Sequence, residues 1–226
     1  MNPECLQSLR FFLTAILVLL KTWYLCDLGE VDLKAAIVSP LDCEPNRPAA
    51  QQDILERMIL VDRDDRPMGE GDKLEVHRQG LLHRAFSIFI FNARDELLLQ
   101  RRADSKYHFA GFWSNSCCGH PRSGESTARA AGRRLGEELG FQTPLTEQMQ
   151  LIYRAEDPES GLIEHEYLHV FHGRFMQDPR PDPAEVGAWR WTSVGAVRRS
   201  LAISSHLFTP WFKLIAEPVL DGAIKI

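Results

Sequence analysis

What the chain has little of narrows it first. Cysteine is scarce: Cys5, Cys26, Cys43, Cys117 and Cys118 make an odd count, two of them are adjacent, and no paired spacing recurs. That is no disulfide framework, and it fits a reducing compartment, the cytoplasm. Positive charge is not in excess. The 26 lysines and arginines stand against 31 acidic residues, for a net charge of −5, without a basic tract. Nucleic acid would find no electrostatic footprint on such a chain. Long apolar runs are missing too. Residues 11–20 are predominantly apolar, but Lys21 separates them from Trp23, Tyr24 and Leu25, and the run falls short of the roughly 20 residues that a membrane-spanning helix needs. Internal repeats and low-complexity tracts are absent.

The 226 residues suit one domain with an extension. Residues 1–50 differ from the rest and read as an N-terminal extension, with the apolar segment at 11–25 and a proline-bearing linker at 40–50. Three readings of the apolar segment stay open. It is a helix lying on the protein or on a membrane, a secretory signal with weak basic flanking (Arg10 against Glu4), or sequence upstream of the true start. Membrane contact there is not the favoured reading. Residues 51–226 read as one folded domain, with enough apolar content for a proper core.

Within that domain strands and helices alternate. Residues 57–61 read as a strand and 62–69 as a turn-rich stretch. Residues 84–92 and 97–102 read as a hairpin, with 93–96 as its turn. Ala128, Ala131, Leu135 and Leu139 recur at helical spacing behind an N-cap at Ser126 or Thr127, and Gly140 suits the left-handed closing position. Further strands are expected from 151, over 163–175 and over 185–191. Short helices are expected over 193–201 and from Thr209, with Pro210 in the first turn.

Two features carry chemistry on their own. In the strand 163–175, Glu164 and Glu166 project to the same face as Leu168 and Val170, while His165 projects to the other. Two carboxylates on a buried face are costly unless a cation accompanies them. In the helix, Arg134 and Glu138 lie four apart on one face, an arrangement suited to a phosphate shared between a guanidinium and a divalent cation. Arg102 and Lys106, where a strand opens into a loop, suit an anion equally. Lys73 reads as a surface lysine, His77 as a loop histidine and Trp211 as a core residue when each is taken alone.

The spacing binds these together. Gly119, five residues, Glu125, seven residues and then Arg133-Arg134-Leu135-Gly136-Glu137-Glu138-Leu139-Gly140-Phe141 resembles the Nudix signature, matching each defined position except Arg134. The family's hydrolases carry a metal-binding glutamate there. Cys118-Gly119-His120-Pro121 stands just ahead of it, and residues 58–217 resemble the type I isopentenyl-diphosphate isomerases.

The resemblance implies an α/β fold, a Nudix-like mixed β-sheet sandwiched between α-helices in a single domain. It implies one divalent metal, Mn2+ or Zn2+, on His77, His83, His120, Glu164 and Glu166, and Mg2+ bridging Glu138 and the substrate diphosphate. Lys73, Arg102, Lys106 and Arg134 match the residues that hold that diphosphate. Cys118 and Glu166 match the acid/base pair, Tyr153 its assistant, and Trp211 the aromatic facing a carbocation in a deep, dry pocket. The implied reaction is the 1,3-proton shift between isopentenyl and dimethylallyl diphosphate, and the partner is that small isoprenoid diphosphate. A Nudix hydrolase of a diphosphate is the alternative.

Overall fold

The computed structural model describes residues 57–106 and 108–223, so the expectations for the extension 1–50 and its apolar segment 11–25 lie outside the described residues. The chain runs β1 (Arg57–Val61), β2 (Pro67–Asp72), α1 (Lys73–Gln79), β3 (His83–Phe91), β4 (Glu96–Arg102), β5 (Trp113–Ser114), β6 (Cys117–Gly119), α2 (Thr127–Leu139), β7 (Leu145–Glu156), β8 (Ile163–Arg174), β9 (Val186–Ser193), α3 (Val194–Ser204), a 3-10 turn (Ser205–Leu207) and α4 (Pro210–Ala223).

The sheet is organised on β3, whose alternating side chains feed two separate cores. Ala85, Phe89 and Phe91 join Leu168, Val170 and the α4 residues Phe212, Ile215, Ala216 and Val219. Phe86, Ile88 and Ile90 point the other way, against Ala131, Leu135 and Leu139 of α2. A mixed sheet thus lies between helical layers, as the resemblance implies. Along one edge β3 runs parallel to β8 from His83↔Glu166 to Phe91↔Arg174. Beyond β8 lies antiparallel β7.

The other edge departs from the simple hairpin expected of β3 and β4. These strands pair only at Phe91↔Leu97 beside their turn, then part. β6 pairs with β3 through Ser87↔Cys118, and β5 pairs with β4 through Gln100↔Ser114. Parting would strand ladder groups in the core, an expensive outcome. Ser116 prevents it: its hydroxyl accepts from Ile90 N at 2.9 Å and donates to Leu98 O at 2.7 Å. The Asn115 amide donates to Ile88 O and Cys117 O at 3.1 and 2.9 Å. The wedge so formed opens a passage through the sheet.

α1 is a second departure: His77 stands on a helix and not in a loop, and Lys73 is buried and not on the surface. Its local signals are ordinary ones: Asp72 caps Glu75 N, and Gly80 closes the helix at φ 62°. β7 also starts earlier than 151, at Leu145, because its whole length finds a partner in β8. α2 follows its signals closely. Ser126 caps Arg129 N, and Gly140 takes φ 74° with its N–H on Gly136 O.

Two glycines of this segment have opposite requirements. A Cβ on Gly140 would stand 2.5 Å from Arg180 O, whereas one on Gly132 meets nothing within 4 Å. Gly140→Ala combines left-handed strain with a backbone clash and is expected to cost about 1–3 kcal/mol. Gly132→Ala, in mid-helix, is expected to add about 0.5–1 kcal/mol. Urea unfolding midpoints of the two variants should move in opposite directions from the wild type.

Candidate active site

The passage between β3 and β4 is where the chemistry-bearing side chains meet. One pocket is lined by Arg134 and Glu138 from the α2 layer, by Cys118 of β6 and Glu166 of β8, and by Trp211 at the start of α4. Lys73, Arg102, Lys106, His120 and Glu164 line it as well. His77 and His83 lie fully buried behind it. Every residue singled out in the sequence for the metal, the diphosphate or the acid/base pair therefore lies in or against one cavity; Tyr153 is buried beside Glu166, its register partner across β7 and β8. By residue type more than half of the lining is charged. Its apolar portion is confined to Trp211 and the Cys118–Gly119 strand.

The metal-ligating types converge. One ligand atom from each of His77, His83, His120 and Glu164 falls within 4.8 Å of the others, all buried. Glu166 flanks the group, its Oε1 3.4 Å from His120 Nε2 and 3.9 Å from His83 Nε2. The local structure aims the rings. His77 Nδ1 lies 2.6 Å from Lys73 O, and His83 Nδ1 lies 2.9 Å from Leu81 O. A carbonyl only accepts, so each Nδ1 carries a hydrogen and each Nε2 is aimed at the cluster, that of His77 3.2 Å from Glu164 Oε2. His83 Nε2 is buried and has no hydrogen-bond partner among the described residues. Lone pairs facing carboxylate oxygens make an arrangement that a divalent cation completes, so the donor set fits one.

Burial and neighbouring charge set the titration of this group. Burial holds His83 down to about 4, with His77 adding to the effect. Burial also holds His108 down to about 4 against the pull of Glu164, and holds His120 well below the ordinary range. At His77 burial is outweighed by Glu164, and the pKa rises. Burial opposes ionisation of Glu164, but His77 and His108 overcome it and keep its pKa low. Glu166 has no such relief: burial and the Glu164 charge push it well above the carboxylate range.

The candidate anion clamp is already balanced by carboxylates. Lys106 Nζ meets Glu185 Oε2 at 2.8 Å, and Arg134 Nη2 meets Glu185 Oε1 at 3.3 Å. Arg134 Nη2 also meets Glu138 Oε1 at 2.6 Å, and Gln100 Nε2 donates to Glu138 Oε2 at 3.1 Å. Arg102 Nη2 donates to His108 O at 3.2 Å, while its buried Nε has no partner among the described residues. The other charged pair of the signature is a brace: Arg133 Nη2 and Nε meet the two Glu125 oxygens at 2.8 and 2.9 Å, tying the loop to α2.

The acid/base candidates are set by alternation. Cys117 is fully buried in the α2-side core, whereas Cys118 packs against the opposite core. Cys118 Sγ lies 3.4 Å from Ser87 Oγ and 3.1 Å from Asn115 Nδ2, and burial pushes its pKa up to about 12. It is a neutral thiol at physiological pH. The Tyr153 hydroxyl is buried beside Glu166, and burial together with the Glu166 charge holds its pKa high. Trp211 is pinned by Nε1 donating to Ser114 Oγ at 2.9 Å, and Arg102 lies 5.7 Å from its ring centroid.

Sequence reasoning passed over Gln100, His108 and Glu185. Each is a lone polar residue in a strand or loop, and only the fold brings it to the pocket. The depressed histidines have a measurable consequence for the metal-free protein. Between pH 6.5 and 4 the unfolded chain binds protons at His83, His108 and His120 that the folded chain refuses, so stability falls on acidification; His77 and Glu166, whose pKa values are raised, act in the opposite sense and offset part of the fall. The loss should reach about 2 kcal/mol at pH 5 for each of His83 and His108. In chelator-treated protein, urea midpoints should fall steadily from pH 6.5 to 5.

Comparison with known proteins agrees with this geometry. Residues 81–212 match the model of the NUDIX domain. The chain is 51% identical over 173 residues to the isopentenyl-diphosphate Delta-isomerase of Halorhodospira halophila, covering 75% of this chain and 99% of that one. It is 52% identical over 162 residues to the isopentenyl-diphosphate Delta-isomerase of Burkholderia multivorans, covering 72% and 92%. In fold it is similar to a crystal structure from Deinococcus radiodurans, with a TM-score of 0.61 at 19% identity over 72% of this chain and 98% of that one. The chain belongs to the Nudix superfamily and, within it, to the isopentenyl-diphosphate Delta-isomerase family.

Proposed function

We infer that this chain interconverts isopentenyl diphosphate and dimethylallyl diphosphate by a 1,3-proton shift and so supplies isoprenoid biosynthesis. The observation that carries the reading is the composition of one pocket: two groups able to exchange protons, Cys118 and Glu166, share it with Trp211 and with Arg102, Lys106 and Arg134.

An alkene is a weak base, and protonating one of its carbons creates positive charge at the tertiary centre. Cys118 and Glu166 exchange the two protons, one at each end of the allylic unit. Without metal, burial favours the protonated form of both; once one of the two is ionised, the other serves as the donor. Tyr153 faces Glu166 and steadies its negative form. The Trp211 face attracts the developing cation, worth about 2 kcal/mol or more in a desolvated site, and its hydrogen bond to Ser114 prevents the ring from turning away. The Ser87 hydroxyl is engaged with Cys118 Sγ, which keeps an oxygen nucleophile off the cation.

Lys73, Arg102, Lys106 and Arg134 hold the diphosphate. Mn2+ or Zn2+ would be held by His77, His83, His120, Glu164 and Glu166, and Mg2+ by Glu138 with the diphosphate. When bound, these ions supply charge that lets both glutamates ionise side by side and that neutralises the diphosphate. Arg134 is the point of difference from a hydrolase. Where hydrolysis requires a metal-binding carboxylate, this chain has a buried guanidinium tied to Glu138 and Glu185. We place the protein in the cytoplasm. Cys117 and Cys118 are both free thiols, and no helix among the described residues is long and apolar enough to cross a membrane.

Cys118→Ala and Glu166→Gln should each lower kcat by roughly 10²–10⁴ or more. Cys117→Ala should leave it within a few-fold, and Cys118→Ala should retain diphosphate binding. Near-normal turnover in Cys118→Ala would remove it from the mechanism. Arg134→Glu should raise KM by about 10–100-fold, the worth of a charge-assisted hydrogen bond. An unchanged KM with release of inorganic phosphate would favour the hydrolase reading instead.

A further inference from the structure

His108 has no place in the roles above, yet it lies in close contact with Glu164. His108 Nε2 lies 2.6 Å from Glu164 Oε1 and is hydrogen-bonded to that side chain. The other oxygen, Oε2, is turned to the histidine cluster, 3.2 Å from His77 Nε2 and 4.0 Å from His83 Nε2. The two oxygens of Glu164 thus face different neighbours.

The histidines differ in the same way. His77 and His83 commit Nδ1–H to main-chain carbonyls and aim Nε2 inward, that of His77 at Glu164 Oε2 and that of His83 at no hydrogen-bond partner among the described residues. His108 turns Nε2 towards a carboxylate oxygen, which only accepts, so at 2.6 Å that nitrogen carries the hydrogen. The ligand atoms that gather within 4.8 Å of one another come from His77, His83, His120 and Glu164, and His108 stands outside that group. The ring is also held in place. It is buried in the loop after β4, its carbonyl accepts from Arg102, and it stacks edge-on against Phe109 at 5.5 Å. Phe109 sits in a left-handed conformation at φ 47° and packs edge-on against Trp211 at 5.4 Å.

We propose that His108 is a positioning residue of the cation site: by donating Nε2–H to Glu164 Oε1, it fixes the carboxylate with Oε2 turned to the ligand set. Such outer hydrogen bonds orient a ligating group and raise metal affinity by about 10–100-fold. The proposal rests on the metal-site reading given above. It also links the two halves of the pocket, because the loop that carries His108 carries the clamp residue Lys106 as well.

The test compares two amides in the full-length protein. In His108→Gln the side-chain NH2 reaches the place of Nε2, whereas in His108→Asn it reaches only the place of Nδ1 and stops short of Glu164. Zn2+ dissociation constants are measured by competition with a chelating dye, and the visible absorption of the Co2+-loaded proteins is recorded. The expected result is an Asn variant weakened about 10–100-fold, a Gln variant within about fivefold of the wild type, and an unchanged Co2+ spectrum in the Gln variant. Equal affinity of the Asn variant and the wild type would overturn the proposal. So would equal losses in both variants with an altered Co2+ spectrum, since His108 would then be a ligand. Failure of the wild type itself to bind Zn2+ or Co2+ would instead overturn the metal-site reading, and this proposal with it.

Discussion

The structure depends on two carboxylates placed where carboxylates do not belong. Glu164 and Glu166 occupy consecutive inward positions of β8, 3% and 7% exposed, on the face that continues into Leu168 and Val170. Burying one charge costs several kcal/mol unless it is paired, and burying two side by side adds their repulsion. The surroundings answer that cost in layers. His77 and His108 bracket Glu164, His120 and His83 approach Glu166, and main-chain carbonyls orient the rings of His77 and His83. A divalent cation fits that demand, and an isoprenoid pocket beside it inherits a glutamate whose proton is easily exchanged.

The second constraint is topological. Residues from both helical layers meet only because β3 and β4 separate after a single pair and leave a passage through the sheet. Ser116 and Asn115 make the separation affordable by satisfying the main-chain groups at the wedge. Through it Arg134 and Glu138 share a pocket with Glu166 and Trp211. The exchange of a carboxylate for Arg134 then changes what the shared scaffold can do. On the function proposed, a position that in a hydrolase would hold metal offers a guanidinium to the diphosphate instead.

Much of this was legible in the sequence where local rules operate. The caps and apolar spacing of α2 located it within a residue, and the alternation around Glu164 and Glu166 foretold a buried acidic pair. The resemblance of residues 58–217 to the type I isopentenyl-diphosphate isomerases supplied what no local rule could, the grouping of distant histidines. The rest was hidden for physical reasons. α1 is too short for periodicity to announce it, so His77 read as a loop residue although Asp72 and Gly80 were its caps. The parting of β3 and β4 is decided by two short strands that no pattern marks. His108 and Glu185 have no spacing at all relative to their partners, Glu164 and Arg134, and become neighbours only through the sheet.

The central claim is that the pocket moves protons and leaves the diphosphate whole. It is tested most directly by incubating the protein with isopentenyl diphosphate, Mg2+ and Zn2+ or Mn2+ in heavy water and following the substrate by NMR. The account predicts dimethylallyl diphosphate with deuterium in its newly formed methyl group and no inorganic phosphate. Release of phosphate with the carbon skeleton free of deuterium would contradict it.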